Sequence, residues 1–217
     1  MVDALSPLLT LNDGTRMPQL GLGVYKTGDD EATDAVAFAL QNGYRLVDTA
    51  SMYLNERGVG EGVRRSGVPR EEVFVTTKVW HTENGYDSTL RSFDESLAAL
   101  GFDYVDAYLI HWPAPLRDRY VDTWRALTRL KAEGRARSIG VANFHPKHVS
   151  RLIDETGVVP AVNQVELHPW LPQHALRAFD AELDIVTQAW SPLARGHVLE
   201  PAHGGDVLAR LAEKHGR

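Results

Sequence analysis

A chain of 217 residues with 43% hydrophobic content has enough apolar material for one substantial core, and nothing in it marks a boundary between two domains. Its formal net charge of -6 argues against general affinity for nucleic acid or anionic membrane, and the absence of cysteine excludes disulfides and thiolate metal sites. No apolar run approaches the ~20 residues that span a bilayer, and residues 1–7 lack the basic start and apolar stretch of a signal peptide, so a soluble cytoplasmic protein is expected.

Residues 8–11 and 16–20 flank Asn12-Asp13-Gly14, a turn signal that predicts a hairpin capping the bottom of the fold. A helix is expected over about 30–41, with acids in its first turn, Ala32, Val36 and Ala39 at helical spacing, and Gly43 past its end. Residues 44–47 read as a short buried strand that empties into a loop at Asp48, and Tyr53 follows five residues later. Gly58-Val59-Gly60-Glu61-Gly62 lacks the spacing of a dinucleotide fingerprint and does not follow directly on a strand, so it reads as close helix packing.

A second strand, 73–77, is closed by Lys78. Ser88 reads as the cap of a helix whose Leu90, Phe93, Leu97 and Leu100 form one stripe, stopped by Gly101. Residues 104–110 form a third strand, closed by His111, and Val121, Trp124, Leu127 and Leu130 mark another helix, stopped by Gly134. Strands over 136–141, 161–167 and 184–189 follow, with a helix from Pro146 to Gly157 and another over about 173–181 between them. A helix over 207–214 closes the sequence. Six strands alternating with helices predict a parallel sheet wrapped by helices, two strands short of a closed barrel.

In such a barrel all strand C-termini open on one face, so Asp48, Lys78 and His111 converge there with Tyr53. A phenol of pKa about 10 is a poor acid, but a neighbouring ammonium favours phenolate and lowers that value. Lys78 is the candidate for this charge, Asp48 would fix the lysine, and His111 would donate a hydrogen bond to a substrate oxygen. The set suits carbonyl reduction, in which hydride arrives from a cofactor while Tyr53 protonates the oxygen. Short-chain dehydrogenase chemistry is excluded, since no tyrosine has a lysine four residues later.

Seven segments in order then carry a resemblance. They are Gly21-Leu22-Gly23-Val24-Tyr25-Lys26, Asp48-Thr49-Ala50 with Tyr53 and Asn55-Glu56, Thr77-Lys78-Val79-Trp80, Leu109-Ile110-His111-Trp112-Pro113, Ile139-Gly140-Val141-Ala142-Asn143-Phe144, Asn163-Gln164-Val165-Glu166-Leu167-His168-Pro169, and Trp190-Ser191-Pro192-Leu193. From about Leu9 onward the chain resembles the aldo-keto reductase family, and tryptophan before Ser-Pro-Leu places it nearest the bacterial branch that reduces keto-sugar acids such as diketogluconate.

The resemblance implies a TIM-type (β/α)8 barrel with an N-terminal hairpin, present here as one domain over 1–217 with about six β/α units. Two more units are expected after residue 217, carrying a Lys-Ser and an Arg that grip an adenosine 2′-phosphate. It also implies NADPH-dependent reduction of an aldehyde or ketone, with Tyr53 as acid and Asp48, Lys78 and His111 completing a tetrad. Val24, Tyr25 and Asp48 would border the cofactor, Asn143 and Gln164 would pair with the nicotinamide carboxamide, and Trp190 would stack on its ring. Ser191, Leu193, Arg195 and Gly196 would offer backbone N–H groups to the pyrophosphate, Arg195 adding charge.

Tyr25, Trp80 and Trp112 are read as walls of the substrate pocket. Ala142 stands where the family usually has serine, so the carboxamide contact falls to Asn143 and Gln164. The implied partner is a small-molecule carbonyl, with neither nucleic acid nor membrane, and the implied state is a monomer. The alternatives are a non-catalytic, cofactor-binding regulatory barrel, which the intact tetrad disfavours, and an inactive truncated chain. No metal is expected: His145 and His148 read as surface residues without a third ligand. Glu166 and His168 alternate on a strand, facing either the pocket or hydrogen-bonded packing.

Overall fold

The computed structural model describes residues 7–200, 202 and 204–216. The N-terminal stretch inspected for a signal therefore lies almost entirely outside the described residues. Strands β1 (Leu8–Thr10) and β2 (Arg16–Pro18) form the expected antiparallel hairpin. Gly14, at φ 85°, takes the left-handed conformation of its turn, and Asp13 clamps the hairpin beneath the sheet by accepting from Lys131 Nζ (2.6 Å) and Ser138 Oγ (2.8 Å).

Seven parallel strands follow in sequential order: β3 (Leu22–Gly23), β4 (Leu46–Asp48), β5 (Phe74–Val79), β6 (Val105–Ile110), β7 (Ala136–Ala142), β8 (Val162–Glu166) and β9 (Val186–Trp190). One helix occupies each crossover: α1 (Asp29–Gln41), α2 (Glu56–Ser66), α3 (Tyr86–Leu100), α4 (Tyr120–Ala132), α5 (Pro146–Thr156) and α6 (His174–Glu182). A last helix, α7 (Gly205–His215), follows β9. This is a nearly closed TIM-type barrel.

Among the described residues the count of six strands is corrected to seven, one short of eight. The added strand, β3, pairs Leu22 with Val47 and Gly23 with Asp48, and two residues are too few to show a period. A second correction concerns α3, which begins at Tyr86 with Gly85 at its N-cap, so Ser88 lies within its first turn. Gly85 donates its N–H to Thr123 Oγ1 at 2.7 Å, and its carbonyl accepts the first helical bond from Thr89.

The core fills the barrel and the layer between strands and helices. Every residue of β5 and β6 is buried, whereas β9 is mostly half-buried and α7 buries none of its residues. The glycines of α2 do the packing expected of them. A Cβ at Gly58 would overlap the Asp29 carbonyl of α1, one at Gly60 the Leu100 carbonyl of α3, and one at Gly62 would meet Thr33 and Val36 of α1. Among the described residues no helix is long and apolar enough to cross a membrane.

Candidate active site

The open end of the sheet gathers the four ionisable residues. Asp48 is the last residue of β4, Lys78 lies one residue inside the end of β5, and His111 directly follows β6. Tyr53 ends a short 3-10 turn, Ser51–Tyr53, between β4 and α2. Asn55 fastens that turn by donating from Nδ2 to the carbonyls of Val24 (2.8 Å) and Thr27 (3.0 Å) and accepting from Thr49 Oγ1.

Lys78 is fully buried, and an ammonium so placed needs partners. Its Nζ donates to Asp48 Oδ1 at 2.5 Å and to the Thr49 carbonyl at 2.9 Å, and lies 5.2 Å from the centre of the Tyr53 ring. Burial pulls the Lys78 pKa down, while Asp48 and then Glu56 oppose that shift. The other Asp48 oxygen accepts from Gln164 Nε2 at 2.7 Å, and the same nitrogen reaches Gln188 Oε1 at 2.8 Å. The carboxylate is thereby held from two sides.

The Tyr53 ring meets Tyr25 at 4.9 Å and the edge of His111 at 5.6 Å, and His111 meets the edge of Trp80 at 4.9 Å. Burial pushes the Tyr53 phenol up, and the nearby Asp48 charge and then Tyr25 add to the shift. This corrects the expectation of a lowered value. The lysine is matched by its own carboxylate, so burial and the Asp48 charge decide the direction.

His111 goes the other way. Burial, then the Lys78 charge and His81, lower its pKa to about 3, so the ring is neutral and carries one N–H. Its Nδ1 is buried without a hydrogen-bond partner among the described residues.

The remaining site residues divide. Asn143, just past β7 at φ 63°, donates from Nδ2 to the His111 carbonyl (3.0 Å) and accepts from Trp190 Nε1 (3.0 Å), which ties three strand ends together. Tyr25 and Trp112 are exposed, and Trp80 lies half-buried against His111. Ala142 is buried at the end of β7.

Val24 departs from expectation. Its side chain lies in the core, its N–H donates to the Asp48 carbonyl, and its own carbonyl accepts from Asn55 and Thr27, so it has nothing free for a cofactor. Ser191 and Arg195 stand in the loop after β9 at φ 49° and 59°, and Leu193 is exposed. The Gly196 N–H there is already given to the Leu193 carbonyl (2.9 Å), which removes Gly196 from the expected backbone donors.

His148 is corrected as well. As the third residue of α5 it packs against Tyr120 and Phe144 instead of facing solvent, with Nδ1 toward the His145 N–H at 3.4 Å. Glu166 and His168 bond each other at 3.3 Å.

Sequence reasoning missed two residues. Gln188 lies two positions before Trp190 and opposite Gln164 in the β8–β9 register, so strand alternation could have placed it on the same face as both. Glu56 accepts from Thr77 Oγ1 at 2.5 Å, and burial raises its pKa against the opposing Thr77 and Ser96 bonds and the Lys78 charge. It stood in the Asn55-Glu56 motif without an assigned part.

The family model described as "Aldo/keto reductase family" matches residues 19–208. An aldo-keto reductase of Mycolicibacterium smegmatis is 53% identical over 98% of this chain and 76% of its own length. The glyoxal reductase of Bacillus subtilis is 47% identical over 100% of this chain and 77% of its own length. A crystal structure of a Gox0644 mutant in complex with NADPH superposes with a TM-score of 0.90 at 48% identity, covering 98% of this chain and 75% of that one. The chain thus spans about three quarters of the length of these relatives.

Proposed function

This chain belongs to the aldo/keto reductase family, and from that premise we propose that Tyr53, Lys78, Asp48 and His111 are the catalytic centre of an NADPH-dependent reductase of small aldehydes and keto compounds. The observation that carries the reading is the buried Lys78–Asp48 pair beneath the Tyr53 ring, with the neutral His111 ring edge-on to the same tyrosine. Four groups spread over 64 residues of sequence have no packing reason to meet with their polar atoms together.

The residues fit a bound nicotinamide. Gln164 has spent its donors on Asp48 and Gln188 and keeps Oε1, while Asn143 keeps one N–H, so the pair offers one acceptor and one donor, the complement of a carboxamide. Trp190, fixed through Asn143, presents its ring beside them, and Arg195 is the cation of the following loop. When bound, the reduced nicotinamide supplies hydride.

The chain supplies the rest. Tyr53, with its raised pKa, stays protonated across physiological pH and so holds the proton to be donated. An alkoxide formed at the substrate carbon is a far stronger base than a phenolate, so transfer from the phenol is downhill. The neutral His111 N–H can hold the carbonyl oxygen toward Tyr53 without competing as an acid. Lys78 places its charge under the ring that becomes phenolate, and Asp48 with Gln164 keeps that charge in place. Tyr25, Trp80 and Trp112 wall the approach with aromatic surface, which suits small carbonyl compounds. The glyoxal reductase relative supports a small aldehyde, and the likeness to keto-sugar acid reductases adds a 2-keto acid to the panel. We further read it as a monomeric, single-domain cytoplasmic enzyme; the net charge of -6 supports the absence of a nucleic-acid partner.

The test is NADPH oxidation followed by absorbance with methylglyoxal, simple aldehydes and keto-sugar acids. Tyr53→Phe is expected to cut turnover by ~10²–10⁴-fold and to leave NADPH affinity unchanged. A variant that keeps more than about a third of the parent turnover, with chemistry limiting, counts against the assignment.

A further inference from the structure

Gln188, which no motif marks, meets the site through Gln164. Side chains alternate along β8 and β9: Asn163 and Thr187 point outward to Asp180 of α6, so their neighbours Gln164 and Gln188 point into the barrel. The two glutamines are direct partners in the parallel register and of equal length, which lets one amide reach the other. Gln164 Nε2 gives one hydrogen to Asp48 Oδ2 at 2.7 Å and the other to Gln188 Oε1 at 2.8 Å.

Two acceptors on one nitrogen constrain more than one does. The Asp48 carboxylate alone decides which end of the amide faces it, because the oxygen end would be repelled. It leaves the amide free to turn about the Nε2···Oδ2 axis, and Oε1 would swing with it. A second acceptor on the neighbouring strand fixes the plane. Gln164 Oε1 is then aimed in one direction, with no protein donor on it among the described residues. Asn163 Oδ1, on the outer face of the same strand, is by contrast sealed in without a partner.

Asn143 is fixed in the opposite sense. Its Oδ1 takes the Trp190 indole N–H at 3.0 Å, and one Nδ2 hydrogen goes to the His111 carbonyl at 3.0 Å, which leaves one N–H. An oriented acceptor beside an oriented donor matches an amide and disfavours a group that lacks an N–H.

We infer that Gln188 is a positioning residue: by taking the second hydrogen of Gln164 it holds Gln164 Oε1 toward the N–H2 of the cofactor carboxamide, and so makes the site selective for that group. This role presupposes the cofactor proposed above and is exercised through Gln164, not on the reacting atoms.

The test is a binding cycle without turnover. Calorimetric titration compares NADP+ with its acetylpyridine analogue, in which a methyl group replaces the carboxamide N–H2, on the parent chain, Gln188→Met and Gln188→Glu. The parent should prefer NADP+ by about tenfold, the scale of one hydrogen bond. Gln188→Met, of similar length but without an oxygen, should lose most of that preference. Gln188→Glu, whose carboxylate can accept the same hydrogen, should keep it. The ratio between the two dinucleotides within each variant cancels a general loss of affinity, so a merely structural role would not move it. In the unliganded chain, NMR should show both side-chain N–H groups of Gln164 hydrogen-bonded, and Gln188→Met should release one. A parent with no preference, or a preference equally large in Gln188→Met, overturns the assignment while leaving the reductase reading intact. So does a loss in Gln188→Glu as large as in Gln188→Met, or a Gln164 amide that the substitution leaves unchanged. A parent that binds neither dinucleotide overturns the reductase reading and the role of Gln188 with it.

Discussion

Gly60→Ala isolates the packing that sets Tyr53 in place. In an exposed helix the change would stabilise by about 0.5–1 kcal/mol, because glycine loses more backbone freedom on folding. Here the added Cβ would overlap the Leu100 carbonyl oxygen and lie 2.7 Å from its carbon and 3.0 Å from the Leu100 Cα, where carbon contacts prefer about 3.5–4.0 Å. Both sides of the contact are main chain, so no side chain can rotate away. Leu100 is itself buried, its carbonyl accepts from Arg64, and the Cβ would lie only 1.9 Å from that oxygen, so α2 and α3 must separate by roughly an ångström or more.

Overpacking of this kind costs about 1–3 kcal/mol, and rigid neighbours place it at the upper end. Net of the propensity gain, a loss of about 2 kcal/mol is expected, or a fall in Tm of about 4–8 °C for a chain of this size. Turnover should fall too, by about tenfold or more, since α2 begins three residues after Tyr53 and anchors its turn through Asn55. Differential scanning calorimetry and steady-state kinetics on one preparation give both numbers. A Gly60→Ala protein that melts at or above the parent temperature would refute the reasoning.

Three other outcomes follow from the site. His111, with a folded pKa of about 3 against an unfolded value of about 6.5, should show no ring titration between pH 5 and 8 by NMR. The unfolded chain takes up that proton first, so the stabilisation is complete above about pH 6.5 and is lost as pH falls toward 3, by roughly 5 kcal/mol at most; a His111 resonance titrating near 6.5 would contradict this. Lys78→Met should abolish turnover and cost roughly 3 kcal/mol in urea unfolding, because it strands Asp48 with only Gln164. Adding Asp48→Asn should recover stability without activity, and a double variant no more stable than the single one would show that the pair's charge is not the cause. Tryptophan fluorescence should be quenched when NADPH binds, and Trp190→Phe should remove most of that quench; a quench of undiminished size assigns it to another tryptophan.

The alternation of elements was legible in the sequence because each helix carries its own apolar stripe and its own stop, such as Gly101 after α3 and Gly157 after α5. The proposed tetrad was legible because Asp48, Lys78 and His111 sit at or next to the ends of apolar strands, with Tyr53 in the turn that follows the first of them, and parallel strands open on one face whatever separates them in sequence. The two-residue strand β3 was not legible, since pairing to β4 and not periodicity makes it a strand. Val24 reads as a cofactor contact from its motif, whereas its side chain packs in the core and its backbone is claimed by Asn55 and Asp48.

What the sequence determined by itself, then, is which groups are available and at which end of the sheet they emerge. Their protonation was decided by the tertiary structure alone. Lys78 beside Tyr53 suggests a lowered phenol, and Asp48 cancels that charge while burial raises it. Likewise Gln188, a strand residue with no motif, became part of the site because its register sets it opposite Gln164 and within reach of the same amide nitrogen. A pKa and a hydrogen bond depend on solvent exclusion and on distances between segments far apart in the chain, and a linear pattern carries neither.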